Sequence, residues 1–300
     1  MKNITVIGSG TMGNGIAHTF ALHGYSVSLV DLNEQALTKA IDIIQRNLDR
    51  QISKSKLTEN EKIATLNNIT TFTDLKGAVA EADLVIEAAT ENEAVKSRLF
   101  NELDDLCADA TILASNTSSI SITQLASNTK RPDKVIGMHF MNPVPMMQLV
   151  EVIRGYRTSE AVTITIFTLA AKLQKTPVIV QDYPGFIANR ILMPMINEAI
   201  YSLYEGVAGV MEIDTVMKLG MAHPMGPLQL ADFIGLDVCL AILKVLHEGF
   251  GNSKYAPCPL LTNMVAAGHL GKKSTIGFYD YRQSDAKELI VASRFSNSRF

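Results

Sequence analysis

The feature that most constrains this chain is a glycine pattern close to its start. A short β-branched run, Lys2–Ile7, leads directly into Gly8–Gly13, which reads G-x-G-x-x-G. A helix-like stretch covers 14–23, and a second strand-like run, 25–30, ends on Asp31. Alone, the glycine pattern is also typical of an ordinary glycine-rich turn. A dinucleotide site is predicted by the order of these elements, which is strand, glycine turn, helix, strand and acidic residue.

Each glycine has a mechanical task in such a turn. Gly8 permits the tight turn out of the strand, Gly10 lets the backbone approach a pyrophosphate, and Gly13 lets the helix pack closely. The helix N-terminus then presents unpaired N–H groups and its positive dipole end to the phosphates. The predicted loop consists of Gly8, Ser9, Gly10, Thr11, Met12 and Gly13.

Asp31 indicates which dinucleotide binds. It lies 18 residues after Gly13, where a carboxylate accepts hydrogen bonds from a ribose diol. The same charge repels the 2′-phosphate of NADP, and Leu32-Asn33-Glu34 supplies no Arg to receive that phosphate. We therefore expect NAD as the cofactor.

Composition excludes several other functions. With 300 residues and 47% hydrophobic residues, the chain can bury one large core or two ordinary ones. A net charge of -3 gives no reason to expect nucleic acid or an anionic membrane as a partner, and no apolar run has the length of a membrane span. Because MKNITVIG runs straight into a strand, we expect no targeting segment. Cys107, Cys239 and Cys258 form no metal-ligand spacing or disulfide framework, so we expect buried thiols, no metal and a cytoplasmic location.

Strand-like and helix-like runs alternate through the first half of the chain. Further strands are predicted at 68–73, 82–89, 111–115, 134–140, 148–153 and 177–180, and helices at 34–52, 53–66, 93–106, 121–126 and 158–175. This alternation predicts an α/β fold with a Rossmann-like doubly wound sheet over residues 1–182.

Strand-like runs stop near Tyr183. Helices are predicted at 187–206, where Pro194 interrupts the pattern, and at 213–219, 226–233, 236–250 and 258–267. Residues 183–300 are thus predicted to form an all-helical C-terminal domain with a partly disordered tail after Tyr281. Because this domain is small and strongly apolar, we expect it to bury one face in a homodimer. We also assign substrate binding to it.

His139 and Glu151 are the first candidates for chemistry. His139 ends a predicted strand of the dinucleotide half, where ligands of open α/β sheets bind. Glu151 lies 12 residues later in the next strand, beyond a proline-rich loop that allows the two side chains to meet. A carboxylate holding one ring nitrogen makes histidine a general acid and base. A core histidine near an unrelated glutamate is the alternative that these residues alone leave open.

Longer segments carry a resemblance. Together they resemble the 3-hydroxyacyl-CoA dehydrogenase family, and its bacterial 3-hydroxybutyryl-CoA branch most closely. They cover nearly the whole chain in the family's order, and HFMNPVP and HPMGP are far more specific than the glycine pattern. The segments are ATENEAVK (89–96), ASNTSSI (114–120), GMHFMNPVPMMQLVEV (137–152), DYPGFIANRIL (182–192), HPMGPLQLADFIGLD (223–237) and GKKSTIGFYDY (271–281).

The resemblance implies roles for individual residues. His139 and Glu151 match the catalytic dyad, Ser118 matches a serine that contacts the reacting oxygen and the nicotinamide, and Asn189 matches an asparagine that contacts substrate at the cleft between the domains. Lys54 matches a contact to the CoA phosphates. Matches to cofactor contacts are Glu91, Lys96, Ser118, Asn142 and Lys273. At Thr275-Ile276 the chain departs from the family, which often has a second glycine and a basic residue there.

The resemblance implies a reaction as well. The family transfers hydride reversibly between NAD and the 3-position of a short-chain (S)-3-hydroxyacyl-CoA, in fatty-acid or butanoate metabolism. Related sugar-acid dehydrogenases acting on L-gulonate-like substrates share many motifs but need no CoA. A non-catalytic NAD-binding structural protein is the third possibility, against which the retained polar set counts.

Overall fold

The computed structural model describes residues 1–283 and 288–296. Its contacts divide the chain into two compact units, Met1–Tyr183 and Pro184–Phe300. Tyr183 therefore belongs to the first unit, one residue beyond the predicted boundary. Each unit has its own hydrophobic core.

The first unit is built on one eight-stranded sheet. Its strands are β1 Asn3–Ile7, β2 Ser26–Val30, β3 Ile69–Phe72, β4 Leu84–Glu87, β5 Ile112–Ser115, β6 Val135–Phe140, β7 Leu149–Arg154 and β8 Thr176–Gln181. Their order across the sheet is β3-β2-β1-β4-β5-β6-β7-β8. All neighbouring pairs are parallel except β6 and β7, which are antiparallel. This architecture confirms the predicted α/β class.

Seven α-helices accompany these strands in the described part of the first unit. They are α1 Thr11–Leu22, α2 Glu34–Ser53, α3 Glu59–Asn67, α4 Leu75–Val79, α5 Glu93–Leu106, α6 Ile122–Ala126 and α7 Glu160–Lys172. Residues of β4 and β5 are buried throughout, as expected for strands covered on both faces. Each fully buried Leu or Ile contributes about 2 kcal/mol to the stability of this core.

Some helix predictions for the first unit differ from the structure. Helix α1 begins at Thr11 instead of residue 14, because it starts inside the glycine loop. In the predicted helical arm at 53–66, α2 ends at Ser53 and a new helix begins only at Glu59, where Thr58 and Glu61 form a reciprocal capping box. Helix α4 was not predicted, although the Asp74 side chain caps its N-terminus.

The second unit is helical, as predicted. Its helices are α8 Ala188–Tyr204, α9 Val210–Thr215, α10 Pro227–Ile234, α11 Leu236–Phe250 and α12 Pro259–Ala266. Helix α8 continues through Pro194. The predicted helix at 213–219 is instead a short α-helix followed by a π-helical turn, Val216–Gly220.

Two buried aspartates tie the second unit together. Asp214 accepts the N–H groups of Leu228 and Gln229, both 2.9 Å away, and so caps α10 from another element. Asp232 accepts the N–H groups of Phe278 and Tyr279 at 3.0 and 2.9 Å. These carboxylates therefore connect α9, α10 and the chain near residue 279.

Part of the tail after Tyr281 packs against the rest of the second unit. Tyr279 forms an isolated β-bridge with Val291, and Ala292 is 3% exposed. The Phe295 ring contacts that of Phe278 at 5.8 Å. The expectation of a partly disordered tail stays a prediction for 284–287 and 297–300, which lie outside the described residues.

All three cysteines are buried and unpaired, which confirms the expectation of buried thiols. Burial raises the pKa of Cys107 to about 11 and that of Cys239 to about 12, so both remain neutral thiols near pH 7. Over residues 1–283 and 288–296, each helix is too short or too polar to cross a membrane.

Candidate active site

The glycine loop, Gly8–Gly13, has the form that a phosphate cradle needs. Gly8 has φ of 95°, which favours glycine, and a Cβ on Gly13 would lie 1.7 Å from the Gly8 carbonyl oxygen. A Cβ on Gly10 would meet nothing within 4 Å, so its backbone faces open space. Gly10 is the N-cap of α1, and no side chain caps this helix end. The loop therefore leaves the helix N-terminus accessible to an anion.

Asp31 is held firmly beside this loop. Its Oδ2 accepts the N–H of Ser9 at 2.9 Å and the hydroxyl of Ser9 at 2.7 Å, while Oδ1 accepts the N–H of Asn33 at 3.1 Å. Partial burial opposes ionisation, but these hydrogen bonds outweigh it and hold the pKa of Asp31 below its usual value. The carboxylate is therefore ionised and oriented near pH 7.

A cavity of about 810 Å³ opens between the glycine loop and α5. Asp31, Gly8, Gly10, Thr11 and Met12 all contribute to its walls, so the structure brings these predicted cofactor residues together. Sequence reasoning missed the opposite wall, because the exposed face of α5 carries no distinctive motif. The α5 residues in this wall are Val95, Arg98, Leu99 and Glu102.

A second cavity, of about 470 Å³, lies on the other side of the loop. Ser9 and Asn142 line it, together with Asn14 of α1 and with Lys39 and Asn47 of α2. The peptide bond between Asn142 and the following proline is cis. The two cavities share Gly10, Thr11 and Asp31, so both border the same cofactor loop.

His139 and Glu151 lie directly opposite each other on the antiparallel strands β6 and β7. The distance from His139 Nδ1 to Glu151 Oε2 is 2.8 Å. His139 is 9% exposed and Glu151 2% exposed, so the pair is buried with the histidine slightly closer to solvent. An ionised carboxylate only accepts hydrogen bonds. An Nδ1–H group that donates to Glu151 would leave Nε2 as the ring nitrogen able to exchange a proton.

Ser118 and Glu91 form a second polar group at the ends of β4 and β5. Glu91 Oε1 accepts the N–H of Ser118 at 2.8 Å, its hydroxyl at 3.0 Å, and the Thr117 hydroxyl at 2.7 Å. Burial opposes ionisation of Glu91, but the Lys96 ammonium and these hydrogen bonds outweigh it and lower the pKa of Glu91. The charged form of Glu91 thus fixes the segment that carries Ser118.

Lys96 lies behind this group and not on the surface. It is 1% exposed, and its ammonium is 2.5 Å from Glu87 Oε1 and 3.3 Å from Glu91 Oε2. Glu87 is 0% exposed and was missed by sequence reasoning, because it ends an apolar strand. A charged residue in such a strand needs a partner, and this was the signal that could have identified it.

The remaining predicted residues have other surroundings. Asn189 is in the first turn of α8 and is 9% exposed. Lys273 pairs with Asp237 of the second unit, with 2.6 Å between Nζ and Oδ2. Lys54 follows the last residue of α2 and is exposed. Among the described residues, no group of three or more His, Cys, Asp and Glu could hold a metal ion.

Two family profiles match the chain. Residues 3–183 match the NAD binding domain of 3-hydroxyacyl-CoA dehydrogenase, and residues 185–281 match the C-terminal domain of 3-hydroxyacyl-CoA dehydrogenase. Together the matched ranges include every residue of the candidate site.

Individual proteins are similar over nearly the full length. A probable 3-hydroxybutyryl-CoA dehydrogenase of Bacillus subtilis is 56% identical over 283 residues, which cover 94% of this chain and 98% of that protein. The human mitochondrial hydroxyacyl-coenzyme A dehydrogenase is 44% identical over 289 residues, 94% of this chain and 92% of that one. The crystal structure of (S)-3-hydroxybutyryl-CoA dehydrogenase from Ralstonia eutropha has a TM-score of 0.91 at 48% identity, covering 94% of this chain and 99% of that one.

Proposed function

The chain belongs to the 3-hydroxyacyl-CoA dehydrogenase family, and on this premise we propose that it interconverts 3-hydroxybutyryl-CoA and acetoacetyl-CoA with NAD. The relatives from Bacillus subtilis and Ralstonia eutropha carry this substrate in their names. The hydrogen bond between His139 and Glu151 is the observation that carries the proposal, because it supplies an acid and base at the carboxyl end of a strand.

NAD binds to the first unit, the NAD-binding domain of the family. The glycine loop fits its pyrophosphate, since Gly10 faces open space at the uncapped N-terminus of α1. The ionised Asp31 fits a ribose diol and disfavours a 2′-phosphate. Glu91 and Asn142 are further proposed cofactor contacts, as is Lys273, while Lys96 lies buried behind Glu91 and supports it. When bound, NAD supplies or accepts the hydride.

The protein's own residues move the proton. In oxidation, His139 takes the proton of the 3-hydroxyl group at Nε2, and the ionised Glu151 stabilises the resulting imidazolium through Nδ1. In reduction, the same imidazolium returns a proton to the 3-oxo oxygen. The Ser118 hydroxyl and the Asn189 amide are the proposed hydrogen-bonding partners of the substrate oxygens. Lys54 is the proposed partner of a CoA phosphate.

The decisive experiment measures oxidation of NADH by the purified protein with acetoacetyl-CoA and, separately, with free acetoacetate. We expect turnover with the thioester and very little with the free acid, because CoA supplies binding energy. Substitution of NADPH for NADH should lower kcat/KM. Equal activity with the free acid, or inhibition by CoA without any turnover of the thioester, would refute the proposed substrate.

Self-association and location complete the proposal. The second unit exposes large apolar side chains, and we propose that they are buried in a homodimer. Light scattering should give the mass of two chains, whereas a monomer at micromolar concentration would refute this. The most exposed apolar side chains of the second unit are Ile191, Val207, Val216, Leu219 and Met221.

The three buried thiols support a reducing, cytoplasmic location.

A further inference from the structure

The buried ion pair of Glu87 and Lys96 lies directly beneath the segment that carries Ser118. Neither side chain is more than 1% exposed, and the ammonium is 2.5 Å from the carboxylate. Burial of two charges is expensive, and an apolar pair of similar volume often stabilises a protein equally well. Stability alone therefore does not explain why charges occupy these positions.

The pair is connected to both ends of the segment 115–118. On one side, Glu87 Oε2 accepts the Ser115 hydroxyl at 2.6 Å, and the Ser115 oxygen accepts the N–H of Thr117 at 3.1 Å. On the other side, the Lys96 ammonium attracts Glu91 at 3.3 Å. Glu91 in turn accepts both the N–H and the hydroxyl of Ser118.

A second buried ion pair, between Asp104 of α5 and Arg131, has no such connection. Arg131 contacts Asp104 Oδ1 at 2.7 Å and the Asp104 carbonyl oxygen at 2.7 Å, while Asp104 Oδ2 accepts the N–H of Lys130 at 2.8 Å. These contacts join α5 to the turn before β6, and none of them reaches a predicted site residue. This pair is therefore the natural control for a purely structural role.

We propose that Glu87 and Lys96 are positioning residues, which set the place of the Ser118 hydroxyl through Glu91. Glu87 holds the ammonium, the ammonium holds the Glu91 carboxylate, and that carboxylate holds the backbone and side chain of Ser118. The inference rests on the proposed function, because it assigns Ser118 to the reacting oxygen. Neither Glu87 nor Lys96 needs to touch substrate in order to act in this way.

The test is a double-mutant cycle between Glu87→Gln and Ser118→Ala, with kcat measured at saturating NADH and acetoacetyl-CoA. Glu87→Gln keeps the size of the side chain but removes its charge. In the wild-type background we expect kcat to fall about 10- to 100-fold, because small displacements of a reacting group are costly. In the Ser118→Ala background the same substitution should change kcat by less than about twofold. KM for NADH should stay within about threefold, because the glycine loop and Asp31 bind the cofactor's other half.

Asp104→Asn is the matched control. It should lower the melting temperature, and its effect on kcat should stay within about twofold in both backgrounds. Equal losses from Glu87→Gln in both backgrounds, with wild-type turnover present, would overturn this inference alone. Lack of turnover in the wild type would overturn the proposed function, and this inference with it.

A second variant covers the case that Glu87→Gln fails to fold. Glu87→Gln combined with Lys96→Met removes both charges, so no unpaired charge is left in the interior. We expect the melting temperature to recover while kcat stays at least about 10-fold below that of the wild type, because Glu91 has lost its cation. Recovery of kcat together with stability would show a purely structural pair and overturn the inference.

Discussion

The two units of this protein bury carboxylates in opposite ways. In the first unit, Glu87 and Glu151 are paired with the titratable side chains of Lys96 and His139. In the second unit, Asp214 and Asp232 accept four backbone N–H groups and the hydroxyls of two tyrosines, Tyr279 and Tyr281. The partners differ in kind, although all four carboxylates are at most 2% exposed.

A side-chain partner suits a carboxylate that takes part in a reaction, and a backbone partner suits one that stabilises the fold. A side-chain partner can exchange a proton or turn when a ligand binds, whereas a backbone N–H is fixed by the fold. Desolvation raises the pKa of Asp232 to about 6 and also raises that of Asp214, although the hydrogen bonds oppose the change. The two buried carboxylates compared in the first unit thus lie at the candidate active site, whereas those of the second unit join helices to the end of the chain.

The largest expected effect is on turnover. His139→Gln should lower kcat about 10³-fold, because glutamine cannot exchange a proton at the position of Nε2. NADH binding, followed by fluorescence titration, should stay within a few-fold of the wild type, and the melting temperature should change little. A kcat close to that of the wild type would remove His139 from the proton-transfer step.

In the second unit we expect a loss of stability without a loss of turnover. Asp214→Ala should lower the free energy of unfolding by about 3 kcal/mol, because two N–H groups of α10 and the Tyr279 hydroxyl lose their acceptor. Urea denaturation measures this loss, and kcat of the folded fraction should be unchanged. A fall in kcat without a fall in stability would contradict the division between the two units.

The units should also respond oppositely to acid. His18 is fully buried, and burial lowers its pKa to about 4 from 6.5. As pH falls from 6.5 towards 4, His18 is protonated in the unfolded chain but stays neutral in the folded one. The free energy of unfolding of the first unit therefore falls by up to about 3 kcal/mol. Asp232 has a raised pKa, so between pH 6 and 3.8 it is protonated in the folded state but still ionised in the unfolded one. The free energy of unfolding of the second unit therefore rises by a similar amount as the pH falls.

Hydrogen exchange, read separately in the two units between pH 4 and 6.5, measures both contributions. His18→Gln should weaken the acid-induced loss in the first unit, and Asp232→Asn should abolish the gain in the second. Identical pH dependence of a variant and the wild type would show that the substituted group is not responsible.

A smaller effect concerns cofactor choice. Asp31→Ala should raise KM for NADH about tenfold, because a charged hydrogen-bond acceptor is lost. KM for NADPH should rise less or fall, since the repulsion of its 2′-phosphate disappears. Steady-state kinetics with both nucleotides measure the ratio, and an unchanged ratio would mean that Asp31 does not select between them.

The smallest expected effect comes from the surface. Lys54 is exposed at the end of α2, so Lys54→Ala should raise KM for acetoacetyl-CoA only about twofold, and less at high salt. Lys56→Ala, two residues away, is the control and should leave KM unchanged. A change of tenfold or more in Lys54→Ala would place this ammonium in direct contact with the CoA phosphates.

Most of the fold was predictable because local signals agree with the tertiary structure. The helix predicted at 93–106 has these bounds in the structure, where Asn92 caps its N-terminus. The helix at 236–250 likewise ends where Gly251 adopts a left-handed conformation. Helix α4 was missed because its five residues are too few to show a helical period.

The candidate site was only partly predictable. The glycine loop and Asp31 form a local unit, so their pattern is visible in the sequence. Glu87 lies in an apolar strand, and its partner Lys96 is on a helix whose buried face could not be identified from single residues. The links between Asp214, Asp232 and the end of the chain depend on tertiary contacts across dozens of residues, which no local pattern encodes.

The antiparallel register of β6 and β7 has a consequence for design. The contact between His139 and Glu151 depends on two strands aligned residue for residue, because a shift by one position would turn one side chain to the opposite face. The loop between the two strands can therefore change in length only as long as these two positions stay directly opposite each other.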